Sequence, residues 1–357
     1  MAQVELQAVS VVSDGVRRLD DVSLVLHDGE FVGVVGESGS GKSTLLRTIA
    51  GLERVASGVI RLDDVDVTRA TPADRDVGFV FQEPVLFGHI SVGRNVAFPL
   101  EIRRTDADEI RERVGAEMRA FNIEGLARRD PTELSRGEQQ MVQIARTLVR
   151  VPKVLLLDEP FAALDEPRRV RLRSEIAALQ SGYGVTTLMS TNDSLDVTAL
   201  AASLAVLSGG RLVQFDQTSV VRRSPATVLA ALATGPMDFI EMRVVADGGG
   251  YWLLRDDPGG GQAVRIRSWA PALAGHVGAA VTVGVRPAEV MVSVSGSVPA
   301  VVERAAVLQP GGVVCLVGGR RVTAMLQPGH ACSSGDQVRL RVDRHVVFDK
   351  PSGNAIT

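Results

Sequence analysis

The stretch that most limits what this chain can fold into is Gly36-Glu37-Ser38-Gly39-Ser40-Gly41-Lys42-Ser43-Thr44. It fits the pattern G-x-x-x-x-G-K-[ST]. The run before it, Phe31 to Val35, is short, apolar and bounded by glycines, and reads as a buried strand. After it, Ser43 to Ala50 carries Leu45, Leu46 and Ile49 at helical spacing, with Gly51 as a stop signal. Strand, glycine loop and helix together make a phosphate site. The glycines let successive backbone N–H groups face one anion, and the helix N-terminus adds its positive dipole end. Lys42 is expected to reach the β- and γ-phosphates, and the Ser43 hydroxyl to bind Mg²⁺. A chance glycine-rich turn would lack the flanking strand and helix.

A phosphate loop needs an acidic strand beside it to hold Mg²⁺ and direct water. Leu155-Leu156-Leu157-Asp158-Glu159-Pro160 supplies one. Asp158, at the strand end, is expected to bind Mg²⁺ through water. Glu159 is placed to polarise an attacking water. Gln82 follows the apolar run Val77 to Phe81 and carries no meaning alone. Ser135-Arg136-Gly137-Glu138 fits S-x-x-E, a capping box ahead of a helix through Ile144 and Leu148. The backbone N–H groups of that helix start are expected to be able to face an anion, which would make a second phosphate-binding surface. One nucleotide cannot use both surfaces without a second chain.

The remaining pattern is α/β followed by β. Val4, Leu6, Val9 and Val11, then Val22, Leu24 and Leu26, read as edge-sheet strands joined by a turn at Asp14-Gly15. From about 92 to 150 the pattern is helical, with Ile110, Val114, Met118 and Phe121 on one face and Glu109 paired to Arg113. Glu166 to Gln180 reads as a helix stopped at Ser181-Gly182. Ser224-Pro225 reads as the start of a helix ending near Gly235. Strands alternating with helices imply a mostly parallel sheet. Beyond Thr234-Gly235-Pro236, seven β-branched runs between glycines and prolines imply an all-β module of small barrel or sandwich type. Gly248–Gly250 and Gly259–Gly261 read as loops.

Composition narrows the function. With 357 residues, 45% hydrophobic and 23% charged, the chain is an ordinary soluble type with room for two or three domains. No apolar run is long enough to span a membrane, and the N-terminus lacks signal-peptide character, so the expectation is a cytosolic protein. A net charge of −3 without a basic run argues against nucleic acid. Cys315 and Cys332 are expected to be two buried thiols rather than a disulfide.

These segments resemble the ATPase subunit of ABC transporters, of the bacterial carbohydrate-importer type that energises maltose or trehalose uptake. Gly36–Thr44 is similar to the Walker A loop, Val154–Glu159 to Walker B and Gln82 to the Q-loop. Leu134–Glu138 is similar to the LSGGQ signature and Ala163-Leu164-Asp165 to the D-loop. The β-module is similar to the family's regulatory domain, including Gly284-Val285-Arg286-Pro287 and Phe348-Asp349. The resemblance implies an α/β P-loop NTPase core with a helical subdomain (1–235, subdomain about 92–150). An OB-like, TOBE-type domain (236–357) follows. It implies ATP bound between Gly36, Ser38, Gly39, Ser40, Gly41, Lys42, Ser43 and Thr44 of one subunit and Ser135, Arg136, Gly137, Glu138 and Asp165 of a second, identical or homologous. Ser43, Gln82 and Asp158 would hold Mg²⁺, and Glu159, Gln82 and the residue at 192 would act in hydrolysis. A membrane permease would dock near Gln82 to His89, with an external solute-binding protein acting indirectly. The subunit would then sit on the cytoplasmic face of the membrane.

Three positions depart from that pattern. Ser13 stands where an aromatic residue stacks on adenine, Arg136 replaces a signature glycine, and Asn192 replaces the switch histidine. The departures at Ser13 and Asn192 keep open an ATP-dependent clamp that hardly hydrolyses. Glu159 opposes that reading. A soluble phosphoryl-transfer enzyme would leave Ser135–Glu138 and the β-module unexplained.

Overall fold

The computed structural model describes residues 2–162, 164–255, 263–305, 311–327 and 330–356. The chain divides into two compact units, Met1–Ser219 and Val220–Thr357.

The first unit contains β1 (Val4–Ser13), β2 (Val16–Leu26), β3 (Phe31–Val35), β4 (Ser57–Leu62), β5 (Val65–Asp66), β6 (Val77–Val80), β7 (Val154–Asp158), β8 (Thr186–Ser190), β9 (Ser203–Ser208) and β10 (Arg211–Gln217). Its helices are α1 (Lys42–Ile49), α2 (Val92–Ile102), α3 (Ala107–Ala120), α4 (Arg136–Leu148), α5 (Glu166–Tyr183) and α6 (Ser194–Leu200). Strands β2-β1-β4-β5 form one sheet, and β10-β9-β3-β8-β7-β6 form the other. In the second sheet β9, β3, β8, β7 and β6 run parallel, and β10 returns antiparallel on β9. Every residue of β3, β7 and β8 is buried, as expected of parallel strands covered on both faces. The hairpin β1–β2 turns through Asp14 and Gly15, both at positive φ (49° and 74°), which suits the twist of the two strands.

One core joins the two sheets through α1. Leu45, Leu46 and Ile49 pack with Leu6, Leu19 and Ile60 on one side and with Val32, Leu156 and Leu188 on the other. Each such side chain stabilises the fold by roughly 1.5–3 kcal/mol relative to exposure. The apolar stripe of α3 is buried at Met118 and Phe121 but only half-buried at Ile110 and Val114. The Glu109–Arg113 pair forms at 3.0 Å.

Two helix ends differ from the sequence reading. Helix α5 continues through Ser181-Gly182 to Tyr183 and stops at Gly184, which takes φ 61° and donates to the Gln180 carbonyl. A glycine can stay helical, and the left-handed stop falls where the chain must turn into β8. Ser224-Pro225 starts no helix. Instead α7 (Thr218–Arg223) precedes it and α8 (Val228–Ala233) begins after Thr227, whose Oγ1 accepts from Ala230 N. Thr227 stays extended (φ −144°, ψ 165°) because it is bridged to Asn354, and the Ala226 carbonyl accepts from Ala355 N, near the far end of the chain.

The second unit is mainly β. Its strands are β11 (Asp238–Asp247), β12 (Gly250–Arg255), β13 (Val264–Ser268), β14 (Ala280–Val285), β15 (Val290–Val292), β16 (Val298–Ala305), β17 (Gly312–Val317), β18 (Arg320–Met325), β19 (Gln337–Val342) and β20 (Val346–Asp349). Strands β13-β12-β11-β14-β20 form an antiparallel sheet, and β15-β18-β17-β16-β19 close into a barrel. A single core spans both, from Ile240 and Val283 to Val313 and Leu340. Strands β11, β16 and β20 lie outside the seven expected runs, because charged residues such as Glu241, Arg243 and Glu303 interrupt their apolar character. Gly248-Gly249 turns β11 into β12, and Gly259–Gly261 lies outside the described residues. Cys315 is buried, but Cys332 is only half-buried. Burial and the neighbouring Cys332 push the Cys315 thiol up to about 11.

Within this unit Arg286, 6% exposed, donates to the carbonyls of Gly235, Arg222 and Ala231 and to Thr234 Oγ1. It therefore gathers α7, α8 and the segment after them onto the β-module. The division between units falls at Ser219, earlier in the chain than Thr234-Gly235-Pro236.

Candidate nucleotide site

The loop from Gly36 to Gly41 passes from the end of β3 into α1. An added Cβ on Gly36 would lie 2.3 Å from the Leu207 carbonyl and 2.5 Å from Ser40 Oγ. On Gly41, at φ 105°, it would lie 2.9 Å from both the Arg18 carbonyl and Leu19 Cδ2. Only glycine fits at either place. The loop is braced from behind, where Gly210 N donates to the Ser40 carbonyl at 3.0 Å. Lys42 is 5% exposed and its Nζ donates to the Gly36 and Glu37 carbonyls at 2.9 and 3.1 Å. Burial lowers the Lys42 pKa, and the nearby Glu159 and Asp158 carboxylates oppose that shift. The loop therefore curls around an ammonium group. No side chain caps α1, and buried Ser40 Oγ has no hydrogen-bond partner among the described residues. Uncapped N–H groups, a spare hydroxyl and a buried cation fit a phosphate chain.

The acidic pair meets this loop. Asp158, 1% exposed, accepts through Oδ1 from Ser43 Oγ at 2.9 Å and from Ser190 Oγ at 2.7 Å. Hydroxyl and carboxylate oxygens together suit a hard cation such as Mg²⁺. Glu159 sits at φ 45°, a strained conformation for a side-chain-bearing residue. Its N–H is held by the Ser190 carbonyl and hydroxyl. Gln82 Nε2 donates to Glu159 Oε2 at 3.1 Å, and Asn192 Nδ2 donates to Oε1 at 2.7 Å. Two neutral amides thus hold the carboxylate, and they come from just beyond β6 and β8, the parallel strands on either side of β7.

The segment after Gln82 is organised by α2 and α4. Gln143, fully buried, accepts from Val85 N and donates to the Phe81 carbonyl, at 2.8 and 2.9 Å. Asn95, also fully buried, accepts from Phe87 N and donates to the carbonyls of Phe87, Ile90 and Ser91. Arg146 bonds the Val85 carbonyl and stacks 5.1 Å from the Phe87 ring centre. Val85 and His89 remain exposed.

The expected site residues do not all gather. Ser135 and Glu138 form a complete capping box at the start of α4. The bonds from Ser135 hold the Glu138 carboxyl below the usual carboxylate range. Gly137 packs on Leu164 and Arg168, and Arg136 is exposed. Asp165 caps α5 through Arg168 N. Among the described residues no hydrogen bond links Ser135–Glu138 or Asp165 to the phosphate loop. Ser13 pairs with Val16 across the β1–β2 turn. Ala163 lies outside the described residues. Ser190, Gly210, Asn95 and Gln143 were missed by motif reasoning.

The model of the family described as ABC transporter matches residues 19–162. A relative from Salmonella paratyphi A (strain ATCC 9150 / SARB42), "sn-glycerol-3-phosphate import ATP-binding protein UgpC", is 35% identical over 367 residues, covering 100% of each chain. Its counterpart in Rhizobium meliloti (strain 1021) is 36% identical, covering 81% of this chain and 78% of its own. Among solved structures, the dimeric ATP-binding cassette MJ0796 in a post-hydrolysis state bound to ADP and Pi is similar, with TM-score 0.56 and 28% identity. It matches over 60% of this chain and 98% of that one. With a full-length relative at this identity and an intact phosphate loop, the chain belongs to the ABC transporter family, as one of its ATP-binding ATPase subunits.

Proposed function

We propose that this subunit hydrolyses ATP to energise an importer for a sugar or a related solute. The relatives' names favour sn-glycerol-3-phosphate chemistry over maltose or trehalose. The observation that carries the proposal is the junction of Ser43 with Asp158 beside a Glu159 held by Gln82 and Asn192. In this reading Gly36 to Thr44 bind the phosphates, and Lys42 faces the transferred one. Ser43, Asp158 and the Gln82 amide oxygen would hold Mg²⁺, which offsets charge on the phosphates. Glu159 takes a proton from the attacking water while Asn192 fixes its carboxylate.

Ser135 to Glu138 and Asp165 make no hydrogen bond to the phosphate loop of their own chain among the described residues, and in this reading they serve a second subunit in a closed two-fold pair. The segment from Gln82 to His89, exposed at its tip and anchored beneath by Asn95 and Gln143, receives a membrane permease. No described helix is long and apolar enough to cross a membrane, so the permease supplies the crossing. The subunit then works peripherally on the cytoplasmic face. A solute-binding protein outside supplies the permease. The β-module, with its five-stranded barrel, acts as a TOBE-type regulatory domain. Residues 1–235, or the compact unit ending at Ser219, carry nucleotide binding without it.

Glu159→Gln tests the proposal. It keeps the shape and removes the base, so turnover should fall by about 10²-fold or more while ATP still binds. Size-exclusion chromatography with ATP should then show a trapped dimer. A variant that stays monomeric with ATP would refute the composite site.

A further inference from the structure

Beside Glu159 a cavity of about 360 Å³ is lined by Asn192, Asp193, Asp196 and Arg169. The charged residues around it form a ladder between two helices. Arg169 and Arg173 stand one turn apart on α5, and Asp193 and Asp196 stand at the cap and first turn of α6. Arg169 Nη1 donates to Asp193 Oδ2 at 2.6 Å, and Arg173 Nε pairs with Asp196 Oδ1 at 2.7 Å.

The two rungs do different work. Asp196 is 1% exposed, and burial first and then Asp193 raise its carboxyl above the usual range; Arg173 opposes that shift as a close ion pair whose Nε is not aligned for a hydrogen bond. Loss of Arg173 would strand a buried charge and damage folding. The Arg169 rung is part-exposed, with side chains 22% and 33% accessible. It acts on the residue next to Asn192. The backbone there is also held at Thr191, whose Oγ1 donates to Asp196 Oδ2 at 3.3 Å, and at Asp193, whose carbonyl accepts from Val197 N at 3.4 Å. Thr191 N donates to the Val34 carbonyl, Asp193 N donates to Thr191 Oγ1, and Asp193 Oδ1 accepts from Leu195 N. Asn192 lies between these anchors, and among the described residues its side chain bonds to Glu159 alone.

We infer that Arg169 is a positioning residue for hydrolysis: by gripping Asp193 it sets the Asn192 amide against Glu159. Arg169 N also donates to the Asp165 carbonyl, at 2.9 Å. The grip therefore ties Asn192 to the start of α5, where Asp165 caps the helix. A shift of that helix start moves Asn192 with it. The inference rests on the proposed roles of Glu159 and Asn192.

The test is a double-mutant cycle on the full-length protein, reading steady-state Mg-ATP hydrolysis and nucleotide affinity. Asn192→Ala should lower kcat on the order of tenfold with KM unchanged. Arg169→Gln should lower kcat severalfold, again with KM unchanged, and Arg169→Lys should recover most of it. Arg169 Nη2 also donates to the Phe161 carbonyl at 3.5 Å, but in the Asn192→Ala background Arg169→Gln should add no further loss, because the route through Asp193 to Asn192 is already cut. If the two losses multiply, if KM moves instead of kcat, or if lysine rescues nothing, Arg169 is not a positioning residue. If Asn192→Ala alone leaves kcat untouched, the proposed role of Asn192 fails, and this inference fails with it. Should Arg169→Gln not fold, Asp193→Asn runs the same cycle, since asparagine still caps α6.

Discussion

Asn192 donates from Nδ2 to Glu159 Oε1 at 2.7 Å, so the residue standing in the place of a histidine still holds the proposed base. An amide has no titrating group and polarises more weakly than an imidazole. The consequence is a base that is oriented but less well assisted. Asn192→His should raise kcat on the order of tenfold with little change in KM. Steady-state ATPase assays in the assembled transporter check this. An unchanged or lower kcat would mean that the surroundings of Asn192 already suit the amide.

Gln143 holds Gln82 in place from a distance, by bridging Phe81 and Val85 on either side of it. Gln143→Leu keeps the volume but leaves a buried carbonyl and N–H without partners, at about 1–3 kcal/mol. The expected result is a lower melting temperature and a kcat reduced severalfold at unchanged ATP affinity. Equal kcat would show that Gln82 finds Glu159 without this bridge.

Glu117 is 5% exposed and its Oε2 has no partner among the described residues. Burial raises its carboxyl to about 7, with Arg113 opposing. Between its ordinary pKa of 4.5 and about 7 the folded state holds a proton that the unfolded state has lost. The Glu117 contribution is therefore fully present below pH 4.5, falls as pH rises through that window, and levels off above about 7. The loss is at most about 3 kcal/mol. Glu117→Gln should gain stability over wild type at pH 8 and little at pH 5. Denaturant midpoints at the two pH values decide it.

Arg286 places a charged group among carbonyls, with burial lowering its pKa to about 10. Arg286→Met would strand several acceptors and loosen α7 and α8, at roughly 3 kcal/mol or more. Melting of the second unit should move to lower temperature while ATP binding by the first stays as it was. Loss of ATP binding would show that the β-module is needed for the phosphate site.

The sequence alone determined the local elements whose chemistry is written in consecutive residues. The phosphate loop, the Leu155–Glu159 strand end and the Ser135–Glu138 cap each need a fixed spacing of glycines, acids or hydroxyls, and spacing is visible along a chain. Hydrophobic period likewise gave the parallel core strands and most of the β-module. Tertiary structure decided whatever depends on partners far apart in the chain. Thr227 is kept extended by its bridge to Asn354, beside a bond from Ala355 N to the Ala226 carbonyl, which delays α8. Gln82 and Asn192 are unremarkable singly, and meet on Glu159 only because β6 and β8 flank β7. Gln143, Asn95 and Arg169 reach their targets through packed helices, and a lone polar side chain carries no trace of the backbone atom or carboxylate it will find. A buried polar group must be paired, but its partner is chosen by topology, not by sequence distance.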